Sequence, residues 1–158
     1  KVVKNRLRPS IETSLHAKIY KERPEVAGII HTHPPFATSF AVCNEEIPIV
    51  SVDAASVIGH AVPVVKYYPP GSDELANEVA RVLGNGNAVL LANHGLITVG
   101  ESLEEAYHVT VVAENEAKLV INSRLIGTIN KLPTEEVKAL RLYYKTKYGQ
   151  NGKFVVRL

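Results

Sequence analysis

The first half of the chain switches between helical and strand spacing of its apolar residues. Apolar residues recur every four positions after Ser10, which predicts a helix over residues 11–22 with Ser10 as its N-cap. The branched apolar run over residues 26–33 predicts a strand, which ends at Pro34 because proline cannot continue a central ladder. The elements predicted next are a short helix over residues 36–43, strands over 47–52 and 62–67, and a helical turn over 53–58 between them.

The second half carries clearer helix signals. Ser72 is a predicted N-cap because two acidic residues follow it, and these stabilise the positive end of the helix dipole. Ser102, with Glu105 three residues later, predicts a capping box that opens the longest helix, over residues 103–122. Further predicted elements are strands over residues 88–92 and 96–99 and a last helix that begins at residues 133–134 and ends near Gly149. This order predicts a layered α/β or α+β fold and leaves the strand directions open.

Composition narrows the class of protein. The chain has 158 residues, 46% hydrophobic and 22% charged, with a net charge of +2, and no linker or repeat divides it. We therefore predict one globular domain over residues 1–158. Interspersed charges favour no nucleic-acid partner, and the apolar runs are too short for a membrane span. A single cysteine, Cys43, favours a reducing compartment, so we expect a cytoplasmic protein.

Three histidines stand where predicted strands end. His31 and His33 are two residues apart on one strand, so both imidazoles point to the same face, and His94 follows another apolar strand. If the strand ends are neighbours, the three imidazoles can hold one ion and leave a fourth position open, as in a catalytic zinc site. The structural alternative is a set of hydrogen-bonded histidines at the strand ends.

Glu12, Ser10 and Tyr148 are further candidates. Glu12 lies at the start of the first predicted helix, where it serves either as a fourth ligand or general base, or only as a first-turn acidic residue. Ser10 is either a simple cap or part of an anion site for a phosphate. Tyr148 falls outside the stripe of the last helix and is the most available of the C-terminal tyrosines as an acid.

The order and spacing of four motifs resemble the class II aldolase/adducin family. The motifs are Pro9-Ser10-Ile11-Glu12, His31-Thr32-His33-Pro34, Pro69-Pro70-Gly71-Ser72 and Asn93-His94-Gly95-Leu96, and the resemblance covers residues 8–149. The resemblance implies an α/β fold, a three-layer α/β/α sandwich with a largely antiparallel central sheet. It also implies a homotetramer whose active sites lie between subunits.

The resemblance also assigns roles to the candidates. It implies that His31, His33 and His94 bind one zinc ion per subunit, that Glu12 is the catalytic carboxylate, and that Ser10 contacts the phosphate of a sugar phosphate. It further implies that Tyr148 is a proton donor to the site of a neighbouring subunit.

The chain departs from the family pattern in three places. Val52 and Asp53 stand where the fuculose-phosphate aldolases have a second active-site tyrosine, and Ser56 stands where the family's epimerase has its catalytic aspartate. The family's N-terminal segment, which carries two strands and half of the phosphate site, has no counterpart here, so we expect the chain to lack it.

The activity implied is therefore that of a zinc-dependent aldolase of the fuculose-phosphate type. Such an enzyme cleaves a ketose 1-phosphate to dihydroxyacetone phosphate and an aldehyde through a metal-stabilised enediolate. The alternatives are another family activity on a sugar phosphate, namely 4-epimerisation, methylthioribulose-1-phosphate dehydration or decarboxylation, and a non-catalytic binding module like adducin.

Overall fold

Helices and strands alternate along the computed structural model, which describes residues 9–148. Residues 1–8 and 149–158, which the single-domain prediction includes, lie outside the described residues, as does Gly149 at the predicted end of the last helix. The helices are α1 (Thr13–Glu22), α2 (Pro35–Cys43), α3 (Val52–Val57), α4 (Asp73–Leu83), α5 (Leu103–Ile126) and α6 (Thr134–Lys147). The strands are β1 (Gly28–Thr32), β2 (Val64–Val65), β3 (Ala88–Leu91) and β4 (Gly95–Gly100).

The four described strands form a mixed sheet in the order β1-β4-β3-β2. β4 pairs antiparallel with both β1 and β3, whereas β2 pairs parallel with β3. The expectation of a largely antiparallel sheet is thus corrected. The reason is the connection: α4 lies between β2 and β3 and packs on both, and such a helical crossover returns the chain in the same direction.

Helices cover both faces of the sheet, which gives the predicted three layers. On one face, the alternate strand residues Val89, Leu91, Ile97 and Val99 pack in a core with buried residues of α1 and α4. On the other face, Ala88, Leu90 and Leu96 pack in a second core with residues of α2, α3, α5 and α6. The strands are therefore apolar on both sides, as expected for a sheet between two helical layers. Among residues 9–148, no helix is both long and apolar enough to span a lipid bilayer.

Two predictions are wrong: the strand over residues 47–52 and the first residue of the first helix. No strand forms over residues 47–52: Ile47 makes only an isolated bridge to Val62, and Val52 already begins α3. The amide groups of Val50 and Ser51 donate to the carboxylate of Glu116 instead of to a neighbouring strand. The first helix also begins at Thr13, two residues later than predicted, because residues 11 and 12 form a turn.

Candidate metal centre

β1, β3 and β4 bring the three predicted histidines together. His31 lies in β1, opposite Ile97 of β4, and His33 follows the end of β1. His94 lies in the tight connection between β3 and β4, where the left-handed backbone of Asn93 (φ 57°) turns the chain. Because β1 and β4 are hydrogen-bonded neighbours, the end of one meets the beginning of the other, and the histidines share that edge.

The geometry of the group suits a metal ion. One ring nitrogen from each of His31, His33 and His94 lies within 4.8 Å of the other two. Nε2 of His31 and Nε2 of His94 are 3.2 Å apart. Zinc bound tetrahedrally by imidazoles at about 2.0–2.1 Å needs nitrogen separations of roughly 3.3 Å, which the pair of His31 and His94 nearly matches. No other cluster of three possible ligands occurs among residues 9–148.

A backbone carbonyl orients His31. Its Nδ1 lies 3.1 Å from the carbonyl oxygen of Leu96, and since a carbonyl only accepts, Nδ1 donates and carries the proton. In the neutral ring, Nε2 then presents its lone pair to the centre of the group. The sequence pattern gave no signal for this contact, because it depends on the register between β1 and β4.

Burial favours the neutral form of two of the histidines. It lowers the pKa of His31, and the neighbouring His94 and His33 lower it further, although the Leu96 carbonyl and the charge of Glu12 raise it. The pKa of His94 is lowered by burial as well, against an opposite effect of Glu12. Neutral imidazole is the form that binds a metal, so the site favours the competent state.

Glu12 is a buried carboxylate without a partner in the described part of the chain. Its residue is 7% exposed, and neither carboxylate oxygen makes a hydrogen bond within residues 9–148. Its charge acts on the pKa values of both His31 and His94. An ionised carboxylate that is buried without a partner lowers the stability of the fold. A divalent cation held by the histidines, or a proton-donating group of a substrate, would supply that partner.

Ser10 and Glu12 form one structural unit. Glu12 occupies the N-cap of α1 rather than a position inside it, which corrects the assignment of Ser10 as N-cap. The Ser10 hydroxyl accepts a hydrogen bond of 3.2 Å from the Glu12 amide, and the Ser10 side chain is exposed. The hydroxyl therefore lies just before the helix, bonded to the backbone of Glu12 and open to solvent.

Tyr148 lies apart from this group in the same chain. It caps the C-terminus of α6, its amide donates to the Tyr143 carbonyl, and its ring stacks on Tyr144 with centroids 5.4 Å apart. Its side chain is 56% exposed. The structure gives it no contact with the histidines among residues 9–148.

Comparison with known proteins identifies relatives with the same fold. The family described as Class II Aldolase and Adducin N-terminal domain matches residues 1–121. The 5-deoxy-D-ribulose 1-phosphate aldolase of Bacillus thuringiensis serovar kurstaki is 32% identical over 149 residues, which are 94% of this chain and 69% of that protein. The L-fuculose phosphate aldolase of Methanococcus maripaludis strain S2 is 33% identical over 112 residues, 71% of this chain and 61% of that protein.

A solved structure supports the same relationship. An L-fuculose 1-phosphate aldolase superposes with a TM-score of 0.87 at 32% identity, covering 90% of this chain and 67% of its own. The structure of YgbL from Klebsiella pneumoniae, titled a putative aldolase/epimerase/decarboxylase, superposes with a TM-score of 0.76 at 34% identity, covering 85% of this chain and 66% of its own. The chain thus spans about two thirds of the length of these relatives.

Proposed function

Because the chain belongs to the class II aldolase and adducin family, we propose that it is a metal-dependent aldolase, a lyase that cleaves a carbon–carbon bond of a ketose 1-phosphate. The observation that carries the proposal is the convergence of three imidazoles beside the buried, unpartnered carboxylate of Glu12. A binding module like adducin has no need for such a set, since unpaired buried groups lower stability without a function.

His31, His33 and His94 are the proposed ligands of a divalent ion, for which zinc fits the all-nitrogen donor set. A bound ion of this kind supplies Lewis-acid stabilisation of negative charge on the substrate oxygens next to the breaking bond. The protein contributes two features of the site. The Leu96 carbonyl orients the ring of His31, and burial lowers the pKa of His31 and of His94, which favours the neutral, metal-binding form. With three protein ligands, a bound ion would remain open to the substrate.

Glu12 is the proposed proton-transfer group. In the direction that forms the carbon–carbon bond, its carboxylate accepts the proton from the carbon next to the substrate carbonyl; in cleavage it returns that proton. Its position supports this role. The carboxylate is shielded from water, and no hydrogen bond within residues 9–148 competes for its oxygens.

The phosphate of the substrate is the proposed ligand of Ser10. A helix start offers free amide groups and a positive dipole end, both of which favour an anion. The exposed Ser10 hydroxyl adds a donor at that place, and its hydrogen bond with the Glu12 amide ties it to the backbone of the residue that carries the catalytic carboxylate. Binding the phosphate here would present the sugar carbons to Glu12.

Tyr148 is the proposed acid from a neighbouring subunit of a homotetramer. It donates a proton to the aldehyde oxygen during bond formation and removes that proton during cleavage. Its exposure supports the role, since a half-exposed ring at a helix end is accessible to another copy. Large apolar side chains on the outer side of α5, Leu103 and Tyr107, are also exposed and offer a surface for association.

The substrate class follows from what the named relatives share. Their names specify phosphates of fuculose and of deoxyribulose, and all are ketose phosphates. Another family activity on a sugar phosphate is the second candidate, because Val52 and Asp53 stand where the fuculose type has its second tyrosine. Within that group, 4-epimerisation lacks its own catalytic aspartate, since Ser56 stands at that position. In the structure, Val52 and Asp53 begin α3, and the Val52 side chain is 58% exposed.

A product assay on the zinc-loaded protein tests the proposal. L-Fuculose 1-phosphate, 5-deoxyribulose 1-phosphate and 5-methylthioribulose 1-phosphate are each incubated with the protein, and both dihydroxyacetone phosphate and epimeric sugar are measured. Glu12→Gln should lower kcat by about 10²–10⁴-fold while zinc stays bound. The matched control is Glu22→Gln, which changes an exposed carboxyl at the other end of α1 and should leave kcat unchanged.

The outcomes separate the candidates. Release of dihydroxyacetone phosphate that depends on Glu12 supports the aldolase. An epimer without cleavage assigns the site to the second candidate. Near-normal turnover by Glu12→Gln would show that the role given to Glu12 is wrong.

A further inference from the structure

The N-terminus of α2 has no side-chain cap from its own N-cap residue. Pro34 is the N-cap of α2 and makes no side-chain capping hydrogen bond, and Pro35 occupies the first helical position. Neither proline has a backbone N–H, so the first amide donors of the helix are those of Phe36 and Ala37. A helix start normally receives its cap from the side chain at the N-cap, which proline cannot supply. The cap must therefore come from elsewhere in the fold.

Glu114 of α5 supplies that cap. Its Oε1 accepts a hydrogen bond of 3.0 Å from the Phe36 amide, and its Oε2 accepts one of 2.7 Å from the Ala37 amide. The residues are 77 and 78 positions apart in sequence. A partly buried carboxylate at a helix N-terminus gains from charge-assisted hydrogen bonds and from the helix dipole. The contact ties the start of α2 to the middle of α5.

This start lies directly after His33, whose ring is held by packing and not by a hydrogen bond within residues 9–148. Within residues 9–148, the His33 side chain makes no hydrogen bond, whereas the ring of His31 donates to the Leu96 carbonyl. The position of the His33 imidazole thus depends on the backbone of the turn that carries it and on packing. Its ring lies beside those of His31 and His94, with centroids 5.0 and 5.1 Å away, and the missing Cβ of Gly95 leaves space for it. Any movement of the α2 start moves His33.

We propose that Glu114 is a positioning residue of the metal centre: by capping α2 across the fold, it fixes the turn that holds His33 in reach of the ion bound with His31 and His94. The inference rests on the proposed function, because it requires that the three histidines bind a metal. Glu114 makes no contact with the histidines itself within the described residues. It acts through two backbone amides.

The same helix provides a matched control. Glu116 lies two residues further along α5, is 2% exposed, and holds the start of α3. It accepts hydrogen bonds from the amides of Val50 (2.6 Å) and Ser51 (3.1 Å) and from the Ser51 hydroxyl (2.6 Å). α3 carries none of the proposed site residues. Loss of Glu116 therefore reports what a purely structural carboxylate contributes.

The test measures the zinc dissociation constant of the full chain by competition with a chromophoric chelator, well below the melting temperature of each variant. Glu114→Gln should weaken zinc binding by about tenfold or more, the range found when groups that orient metal ligands are removed. Glu116→Gln should lower the melting temperature and leave zinc affinity unchanged.

A rescue variant tests the route of the effect. The Pro34 backbone is already extended (φ −70°, ψ 137°), as an N-cap requires, so Pro34→Ser places a capping hydroxyl near the same amides. Pro34→Ser combined with Glu114→Gln should recover most of the lost zinc affinity. A double variant that binds zinc no better than Glu114→Gln would contradict action through the cap.

The remaining outcomes are equally decisive. Unchanged zinc affinity in Glu114→Gln, or equal weakening by Glu116→Gln, overturns the inference. If Glu114→Gln does not fold, Glu114→Asp replaces it, because its side chain is one methylene shorter and reaches the two amides less well. Weaker zinc binding by this variant supports the inference, and parental zinc affinity refutes it. His33→Ala distinguishes failure of the proposed metal centre from failure of the Glu114 inference. If zinc binding does not depend on His33, the proposed metal centre is wrong, and the inference about Glu114 is wrong with it.

Discussion

Adding one methyl group at Gly95 should disturb the metal centre. Gly95 begins β4 immediately after His94 and faces the end of β1. A Cβ at this position would lie 2.5 Å from Cδ2 of His33 and 2.5 Å from the backbone oxygen of Thr32. Gly95→Ala therefore forces either the His33 ring or the end of β1 to move.

The size of the effect follows from these distances. Carbon atoms pack at about 3.5–4.0 Å, so relief of the contact needs a displacement of roughly 1 Å. Metal–ligand distances tolerate only about 0.2 Å, so a shift of this size should weaken zinc binding by tenfold or more, as about tenfold to a hundredfold losses follow even from outer-shell changes. Overpacking should also cost about 1–3 kcal/mol of stability, or about 2–4 °C in melting temperature for each kcal/mol.

The assay combines zinc competition with thermal unfolding of the metal-free protein. The control is Gly127→Ala, since a Cβ there meets nothing within 4 Å and its φ of 175° is extended. If Gly95→Ala bound zinc with parental affinity, the close approach of the His33 ring to β4 would not determine the geometry of the metal centre, and the argument would be refuted.

Two further predictions concern α1 and the turn that precedes it. Because burial lowers the pKa of His16 below its ordinary 6.5, against the opposite effect of Glu12, the unfolded chain takes up this proton first as the pH falls. The free energy of unfolding of the metal-free protein should therefore fall below about pH 6.5, and less so in His16→Gln; chemical denaturation at a series of pH values measures this, and identical profiles would contradict it. Ser10→Ala should raise KM for the phosphorylated sugar by about tenfold or more with a smaller change in kcat, as expected for a lost hydrogen bond to a charged group, and an unchanged KM in steady-state assays would exclude the phosphate role.

Capping residues in the sequence correctly predicted where two helices begin, because a cap and the amide that it binds are close together in the chain. The hydroxyls of Ser72 and Ser102 accept from the amides of Leu75 and Glu105, as their sequence positions indicate. The helices that they open begin where predicted. The grouping of the histidines was also predictable in outline, because polar residues at the ends of neighbouring strands meet at one sheet edge.

The rest depends on partners far away in sequence. Residues 47–52 have the apolar character of a strand, but Glu116, 65 and 66 positions away, takes the amides that a strand would pair. The capping contact of Glu114 has the same origin. Its one local signal is a proline at an N-cap, which shows that a cap is missing but not which residue supplies it. The direction of β2 likewise follows from the α4 crossover and not from the composition of the strand.

The histidine group itself is the central claim, and metal analysis tests it most directly. The full chain is loaded with zinc, freed of excess ion and analysed for metal content beside His33→Ala. The account predicts about one zinc ion per chain in the parent, as for a three-histidine site, and loss of that ion in the variant. A folded parent that binds no metal, or a His33→Ala variant that retains the full content, would contradict it.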